Sequence, residues 1–170
     1  MPIYNGITLQ FSGPPQPGQI MPQVSPDVFA QSGPIIPIQI QIPLVLSQSY
    51  PKAGTLIPAP VQGFALIDTG ASITSVHEAI FTQLGVKQNG VASVGTAGGP
   101  TRQFTYPGRI TFTGANFPAF EHPRILGCNL TGQVFLQNPS SPIIALIGRD
   151  ILKRFVFVYN GTAGSFSLSG

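Results

Sequence analysis

The order of apolar and polar residues along the chain predicts short strands joined by many turns. Residues 36–42 (Ile-Pro-Ile-Gln-Ile-Gln-Ile) alternate with a period of two, which is typical of a strand that buries one face. Pro37 and Pro43 place this strand near an edge of its sheet, because proline cannot donate a ladder hydrogen bond. The same signals predict strands at residues 7–11, 91–94, 104–112, 124–126, 133–136 and 143–147, and a closing hairpin at 155–168.

The pattern changes after Gln62, where residues 64–67 (Phe-Ala-Leu-Ile) are continuously apolar and end at Asp68. A strand without alternation is buried on both faces. When such a strand stops at an acid and then a glycine, here Gly70, it carries the acid into a buried turn. Asp68 is therefore the first candidate for a catalytic residue.

A helix and a long hairpin are predicted after this turn. Ser75 and Glu78 have the spacing of a capping box, apolar residues recur on one face, and Gly85 ends the helix. It is the only helix that the pattern predicts. Residues 95–100 (Gly-Thr-Ala-Gly-Gly-Pro) tolerate positive φ angles and form the bendable tip of a hairpin.

Composition narrows the range of partners. Only 8% of the 170 residues are charged, and the net charge of +3 comes from eight Lys and Arg residues scattered singly. We therefore expect no nucleic-acid partner. A single cysteine, Cys128, excludes an internal disulfide and a cysteine-rich zinc site. The first residues lack an export signal and no apolar run approaches the ~18 residues that span a bilayer, so we expect no membrane contact and a cytoplasmic location.

Asp68 suits the chemistry of an aspartic peptidase, which needs two carboxylates that share one proton. Gly70 lets backbone amides approach the carboxylate, and Thr69 can bond across a symmetry axis. One chain offers only one such turn, so the pair requires two copies of the chain. The other acids are Asp27, Glu78, Glu121 and Asp150.

Three segments occur in an order that is typical of one protein family. Residues 65–72 (Ala-Leu-Ile-Asp-Thr-Gly-Ala-Ser) look like a catalytic loop, 95–99 (Gly-Thr-Ala-Gly-Gly) like a flap tip, and 144–152 (Ile-Ala-Leu-Ile-Gly-Arg-Asp-Ile-Leu) like the apolar strand and helical turn that follow. Over about residues 60–168 the chain resembles the retropepsins, the one-lobed aspartic proteases of retroviruses and their cellular and bacterial relatives. The resemblance implies an all-β fold, a closed acid-protease-type β-barrel with a single lobe and one short helix, working as a homodimer.

The resemblance also implies roles by position. Asp68 would be the catalytic acid or base, Thr69 the residue that contacts its counterpart in the second subunit, and Gly70 a backbone contact to substrate. The implied substrate-binding residues are Ala71, Ser72, Ala97, Gly98, Gly99 and Ile147. They would hold a polypeptide in extended conformation beneath the flap. The resemblance implies neither a metal nor an organic cofactor.

Arg149 departs from the family pattern. Its counterpart usually pairs with an acid just after the catalytic loop, where this chain has Ser72 and Ile73. Arg149 is therefore expected to bond to Asp150 or to a carbonyl. Asp150 is interpreted as structural, paired with Arg149 in the last helical turn, and not as the second carboxylate. His122 is interpreted as a surface residue.

The sequence therefore predicts an aspartic endopeptidase, with residues 1–34 as a Pro/Gly-rich N-terminal segment containing one short strand and 35–170 as the retropepsin-like peptidase domain. Besides a latent monomer of the peptidase, whose N-terminal segment covers the groove or the dimer face until it is removed, two alternatives stay open. One is a catalytically silent, dimeric peptide-binding module of the same fold. The other is a monomeric β-barrel of structural or interaction type, in which the three segments are coincidental turns.

Overall fold

A computed structural model describes residues 3–7, 25–96, 99–114, 116–131, 134–135 and 138–170. The strands in this part of the chain are β1 (Ile3–Ile7), β2 (Ile35–Gln41), β3 (Val61–Ile67), β4 (Ser75–His77), β5 (Gly90–Thr96), β6 (Gly99–Phe112), β7 (Phe120–Cys128), β8 (Val134–Phe135), β9 (Asn138–Ile147), β10 (Val156–Asn160) and β11 (Ser165–Ser169). The helices are α1 (Pro26–Ser32), α2 (Leu44–Ser49), α3 (Glu78–Gln83) and α4 (Arg149–Leu152), and Pro51–Ala53 forms a 3-10 turn. The prediction of a mostly β chain is confirmed.

Six strands close into a barrel in the order β2-β3-β9-β4-β7-β6, and β6 pairs back onto β2. The pairs β3–β9 and β4–β7 are parallel, and the other barrel pairs are antiparallel. β5 adds to β6 as a hairpin outside the closed ring, and β8 pairs with β9. A separate three-stranded sheet has the order β1-β11-β10. The expectation of a closed β-barrel is confirmed.

β2 lies inside the sheet, so its predicted edge position is wrong. It pairs with β3 on one side and with β6 on the other. Pro37 is tolerated because the pairing with β6 begins only at the next residue, Ile38. The Pro37 carbonyl still accepts a hydrogen bond from the Thr113 backbone amide at 3.0 Å. The proline therefore marks the end of one ladder, not a free edge.

The alternation along β2 fills the inside of the barrel. Ile36, Ile38 and Ile40 are each at most 1% exposed, while the residues between them are half-buried on the outer face. Ile110 and Phe112 of β6 extend the same core. β2 and β6 thus form a rigid wall of the barrel by burying one face each.

β3 is apolar throughout because both of its faces are covered. Ala65 and Ile67 point into the barrel core, whereas Phe64 and Leu66 pack on the outer face against a small cluster formed by Ile35 and Ile143. This double burial holds the end of β3 in place, and Asp68 is the next residue.

The helix predicted from Ser75 begins later and is shorter. Ser75–His77 forms β4 between β9 and β7, and α3 begins at Glu78. Glu78 caps no helix end, because its carboxylate accepts a hydrogen bond from the Tyr106 hydroxyl at 2.6 Å. Barrel closure needs a strand at this position, and that tertiary demand outweighs the local helix signal. The expectation of a single helix is also wrong, since α1 and α2 are present.

The N-terminal region contributes to the same packed unit. Phe29 of α1 is fully buried and stacks on Tyr159 with ring centroids 4.7 Å apart. β1 pairs with β11 and makes the predicted closing hairpin, β10–β11, part of a three-stranded sheet. The strand predicted at 7–11 is found at Ile3–Ile7, and residues 8–11 lie outside the described part. None of the helices in the described ranges has the length and apolar character needed to cross a membrane.

Candidate active site

Asp68 stands at the carboxyl end of β3, where the parallel pairing with β9 ends. Its backbone amide donates to the Ile147 carbonyl at 3.0 Å, which extends the ladder by one bond. The side chain is half-buried, as a turn after a doubly covered strand requires. The barrel therefore presents this carboxylate from a fixed backbone position.

One oxygen of the Asp68 carboxylate is held by the turn that follows it. Oδ1 accepts hydrogen bonds from the Gly70 amide at 2.9 Å and the Ala71 amide at 3.2 Å. A Cβ atom at Gly70 would lie 3.1 Å from Oδ1, so a glycine gives this oxygen room. Oδ2 receives no hydrogen bond from any residue that the structure describes. The hydrogen bonds to Oδ1 thus orient the carboxylate, and Oδ2 can still accept a hydrogen bond from a water or a ligand.

The turn is braced from behind by the segment that links β9 to α4. The Gly148 amide donates to Thr74 Oγ1 at 3.0 Å, and the Arg149 amide donates to the Ala71 carbonyl at 2.9 Å. Arg149 Nη1 donates to the carbonyls of Thr69 at 2.6 Å and Gly70 at 2.9 Å. Of the two partners expected for Arg149, the structure has the carbonyl. Its interpretation as a pair with Asp150 is wrong.

Gly148 offers a stability test of this brace. A Cβ atom there would lie 2.7 Å from the Ile73 carbonyl carbon and 2.9 Å from the Thr74 nitrogen, which are backbone atoms that cannot rotate away. We expect Gly148→Ala to lower the free energy of unfolding by roughly 1–3 kcal/mol, measured by urea titration. Gly95→Ala is the matched control, since nothing lies within 4 Å of its added Cβ. Equal stability of the two variants would show that the backbone yields without cost.

Asp150 ties the turn to α4 and β7. Its carboxylate accepts from the Thr74 amide at 2.9 and 3.0 Å, from Thr74 Oγ1 at 2.7 Å and from the Ile151 amide at 2.9 Å. His122 Nε2 lies 3.1 Å from Oδ2, and both side chains are less than a fifth exposed, so the interpretation of His122 as a surface residue is wrong. Burial opposes ionisation, but the bonds from His122 and Thr74 outweigh it and lower the pKa of Asp150 to about 2.

This lowered pKa predicts how stability depends on pH. Because the pKa of Asp150 in the fold lies below its ordinary value of 3.8, the ionised form stabilises the protein above that value, by about 2 kcal/mol. The contribution is lost as pH falls from about 4 to about 2. We expect Asp150→Asn to lower the unfolding free energy at pH 7 and to flatten its fall over that range. Asp27→Asn, which changes an exposed acid of α1, is the control. An unchanged pH profile in Asp150→Asn would contradict this role.

An open cleft of about 440 Å³ lies between the Asp68 turn and the β5–β6 hairpin. It is lined by Asp68, Gly70, Ala71 and Ser72, which are four of the residues predicted for a site at this turn. No family model matches the chain, and a search of curated proteins found no match.

The other predicted site residues are placed differently. Thr69 is exposed beside the cleft. Gly99 begins β6 with a φ of 103°, which fits the hairpin tip, whereas Ala97 and Gly98 lie outside the described residues. The Ile147 side chain is fully buried in the barrel core, so it cannot contact a ligand in the cleft. Strand alternation puts its neighbour Leu146 on the cleft wall instead.

Several lining residues were not found from the sequence. Among them are Ser75, Gln103, Leu126, Cys128, Leu130 and Leu146. The positions of Leu146 and Gln103 on the cleft wall can be predicted from the two-residue period of their strands, once it is known which face of each strand points inward. The others come from β4, β7 and the segment after β7, which reach the cleft only through barrel closure.

Cys128 and His77 have structural partners near the cleft. The half-buried Cys128 thiol lies 3.6 Å from the Val76 carbonyl, and burial raises its pKa. His77 Nδ1 accepts from the Leu130 amide at 3.1 Å. A thiol with a raised pKa is a poor nucleophile at neutral pH.

Within the described ranges, no three His, Cys, Asp or Glu side chains form a group that could hold a metal ion.

Proposed function

We propose that two copies of this chain form an aspartic endopeptidase that hydrolyses peptide bonds with a water activated between two Asp68 carboxylates. The observation that carries the proposal is the Asp68 carboxylate itself. One of its oxygens is fixed by two backbone amides, the other is without a hydrogen bond from the described residues, and Asp68 lines an open cleft. Such a carboxylate can hold a water without first reorganising.

The second carboxylate has to come from another copy of the chain. All five acids lie in the described residues, and Asp68 is the one among them that lines the cleft. Glu78 is bonded to Tyr106, Glu121 lies 3.3 Å from Arg109, and Asp150 is held by Thr74 and His122. Asp27 belongs to α1. A two-fold axis beside Asp68 and the exposed Thr69 would supply the missing carboxylate.

The reaction requires one of the two carboxylates to be ionised and the other protonated. The ionised Asp68 takes a proton from water as the water oxygen bonds to the scissile carbonyl carbon, and the protonated Asp68 donates to the carbonyl oxygen. The tetrahedral diol then collapses: the carboxyl group that gained a proton donates it to the leaving nitrogen as the carbon–nitrogen bond breaks, and the other carboxylate takes a proton from one diol hydroxyl, which restores the starting pair. Sharing of one proton favours mildly acidic pH, because the protonated partner is lost as pH rises.

The cleft fits a polypeptide in extended form. It lies under the hairpin of β5 and β6, whose residues Val94, Gly95 and Gln103 line one wall. A hairpin beside a peptide can bond to it through main-chain groups, as an added strand does.

Digestion of a proteome-derived peptide mixture tests the proposal. We expect new peptide termini after incubation with the wild-type chain at mildly acidic pH, and none with Asp68→Asn. Mass spectrometry of the products reads both outcomes. Binding of peptides without any cleavage would favour the silent binding module, and a protein that neither binds nor cleaves would favour the structural barrel.

A further inference from the structure

The cleft around Asp68 is almost free of charge. Every charged residue of the chain lies in the part that the structure describes, and Asp68 is the only one that lines the cleft. Arg149 is close to the turn but bonds to the carbonyls behind it. The other lining side chains are apolar or uncharged polar groups, such as Leu126, Leu146 and Ser72.

This distribution disfavours charged side chains in a bound peptide. A charge that leaves water needs an opposite charge or several hydrogen bonds to offset its lost hydration. An acidic side chain would find only Asp68, which repels it. A basic side chain would form an ion pair with the same carboxylate, and it would then compete with the water that this carboxylate has to hold. Uncharged side chains meet neither obstacle.

Gln103 is the polar side chain of β6 that faces this cleft. Gln103 pairs with Ala92 across the hairpin, and Ala92 is only 7% exposed. The face of the hairpin that carries these two side chains therefore points toward the protein and away from solvent. Arg102, its neighbour in the strand, is exposed on the opposite face. The half-buried Gln103 amide makes no hydrogen bond with any residue in the described part of the chain. It therefore offers two donors and one acceptor to whatever enters the cleft.

We propose that the cleft selects peptide segments without charged side chains, and that Gln103 determines specificity by hydrogen-bonding an amide or hydroxyl side chain of the peptide. This inference rests on the proposed function, because its ligand is the same polypeptide. A partly desolvated amide favours a partner that satisfies it and disfavours an aliphatic side chain that leaves it unpaired.

Peptide selection on the Asp68→Asn protein tests the inference without catalysis. The immobilised protein is incubated with octapeptides randomised at every position, and the retained peptides are sequenced. We expect Asp, Glu, Lys and Arg to be depleted at the central positions by at least about tenfold. At one position we expect Asn, Gln, Ser and Thr to be enriched by roughly threefold to tenfold.

Two substitutions in the same background assign the selectivity to position 103. Gln103→Leu should replace the amide preference with an aliphatic one, and Gln103→Glu should admit Lys and Arg at that position. Gln83→Leu, on the exposed side of α3, is the control and should select like its parent. Retention of charged peptides, an unchanged preference in Gln103→Leu, or no retained peptide on folded protein would each overturn the inference.

Cleavage is read separately, with the wild-type chain. A wild-type protein that cuts nothing, while Asp68→Asn still selects uncharged peptides through Gln103, would refute the endopeptidase and leave the selectivity standing. Cleavage on either side of charged residues as often as elsewhere would refute the selectivity and leave the endopeptidase standing.

Discussion

Asp68→Asn is expected to reduce peptide cleavage by at least about 10³-fold, because a carboxamide cannot take a proton from the attacking water. The fold should persist, since the carboxamide oxygen of the variant can still accept from the Gly70 and Ala71 amides as the Asp68 carboxylate does. We expect the unfolding midpoint to change by no more than about 2 °C. Chromatography of a cleaved peptide gives the rate, and thermal unfolding followed by circular dichroism gives the midpoint.

The control for this substitution is Asp27→Asn, which removes the same charge from the exposed first turn of α1. It should cleave peptides at the wild-type rate. Activity retained by Asp68→Asn in a preparation free of contaminating peptidase would remove Asp68 from the mechanism. Loss of folding in Asp68→Asn would instead assign the carboxylate a mainly structural role.

Arg149→Met is expected to lower kcat/KM by about 10²-fold while leaving the protein folded. Arg149 Nη1 holds the carbonyls of Thr69 and Gly70, the two residues after Asp68. Without it, the turn can shift, and displacement of a reacting group by about 1 Å costs about this much in rate. Because Arg149 is exposed, its removal exposes no core. Steady-state kinetics on one peptide, with urea unfolding of the same preparation, measures both effects.

Lys153→Met is the matched control for Arg149→Met, since Lys153 is an exposed cation at the C-terminal end of α4. It should retain wild-type kinetics and stability. Equal kinetics in the two variants would mean that the main-chain bonds of Gly148 and Arg149 hold the turn on their own. A large loss of stability in Arg149→Met would show that the arginine supports the fold as a whole.

Local signals in the sequence were sufficient for most of the strands and for the Asp68 turn. The apolar run before Asp68 predicted a strand buried on both faces, and β3 has this burial because Phe64 and Leu66 pack outside while Ala65 and Ile67 pack inside. The closing hairpin and the helical turn after Gly148 are present at the predicted positions. These features depend on residues that are neighbours in the chain.

Features that depend on barrel closure could not be predicted in this way. Ser75 carries a good helix signal, yet it lies in β4 because β9 and β7 both pair there. Asp150 bonds to Thr74 across 76 positions of the chain, and no local pattern indicates that contact. Ile147 was predicted to bind substrate, but its neighbour Leu146 lines the cleft, and this miss has the same origin. Strand alternation separates the residues into two faces, but it does not tell which face points into the barrel.

The dependence of activity on two Asp68 carboxylates is tested most directly by mixing wild-type and Asp68→Asn chains at a fixed amount of wild type. If subunits exchange freely and only wild-type dimers cleave, activity should fall to about one half at equal amounts and to about one tenth with a ninefold excess of Asp68→Asn. Cleavage that stays constant as Asp68→Asn is added to a folded, exchanging mixture would contradict a site shared between two copies.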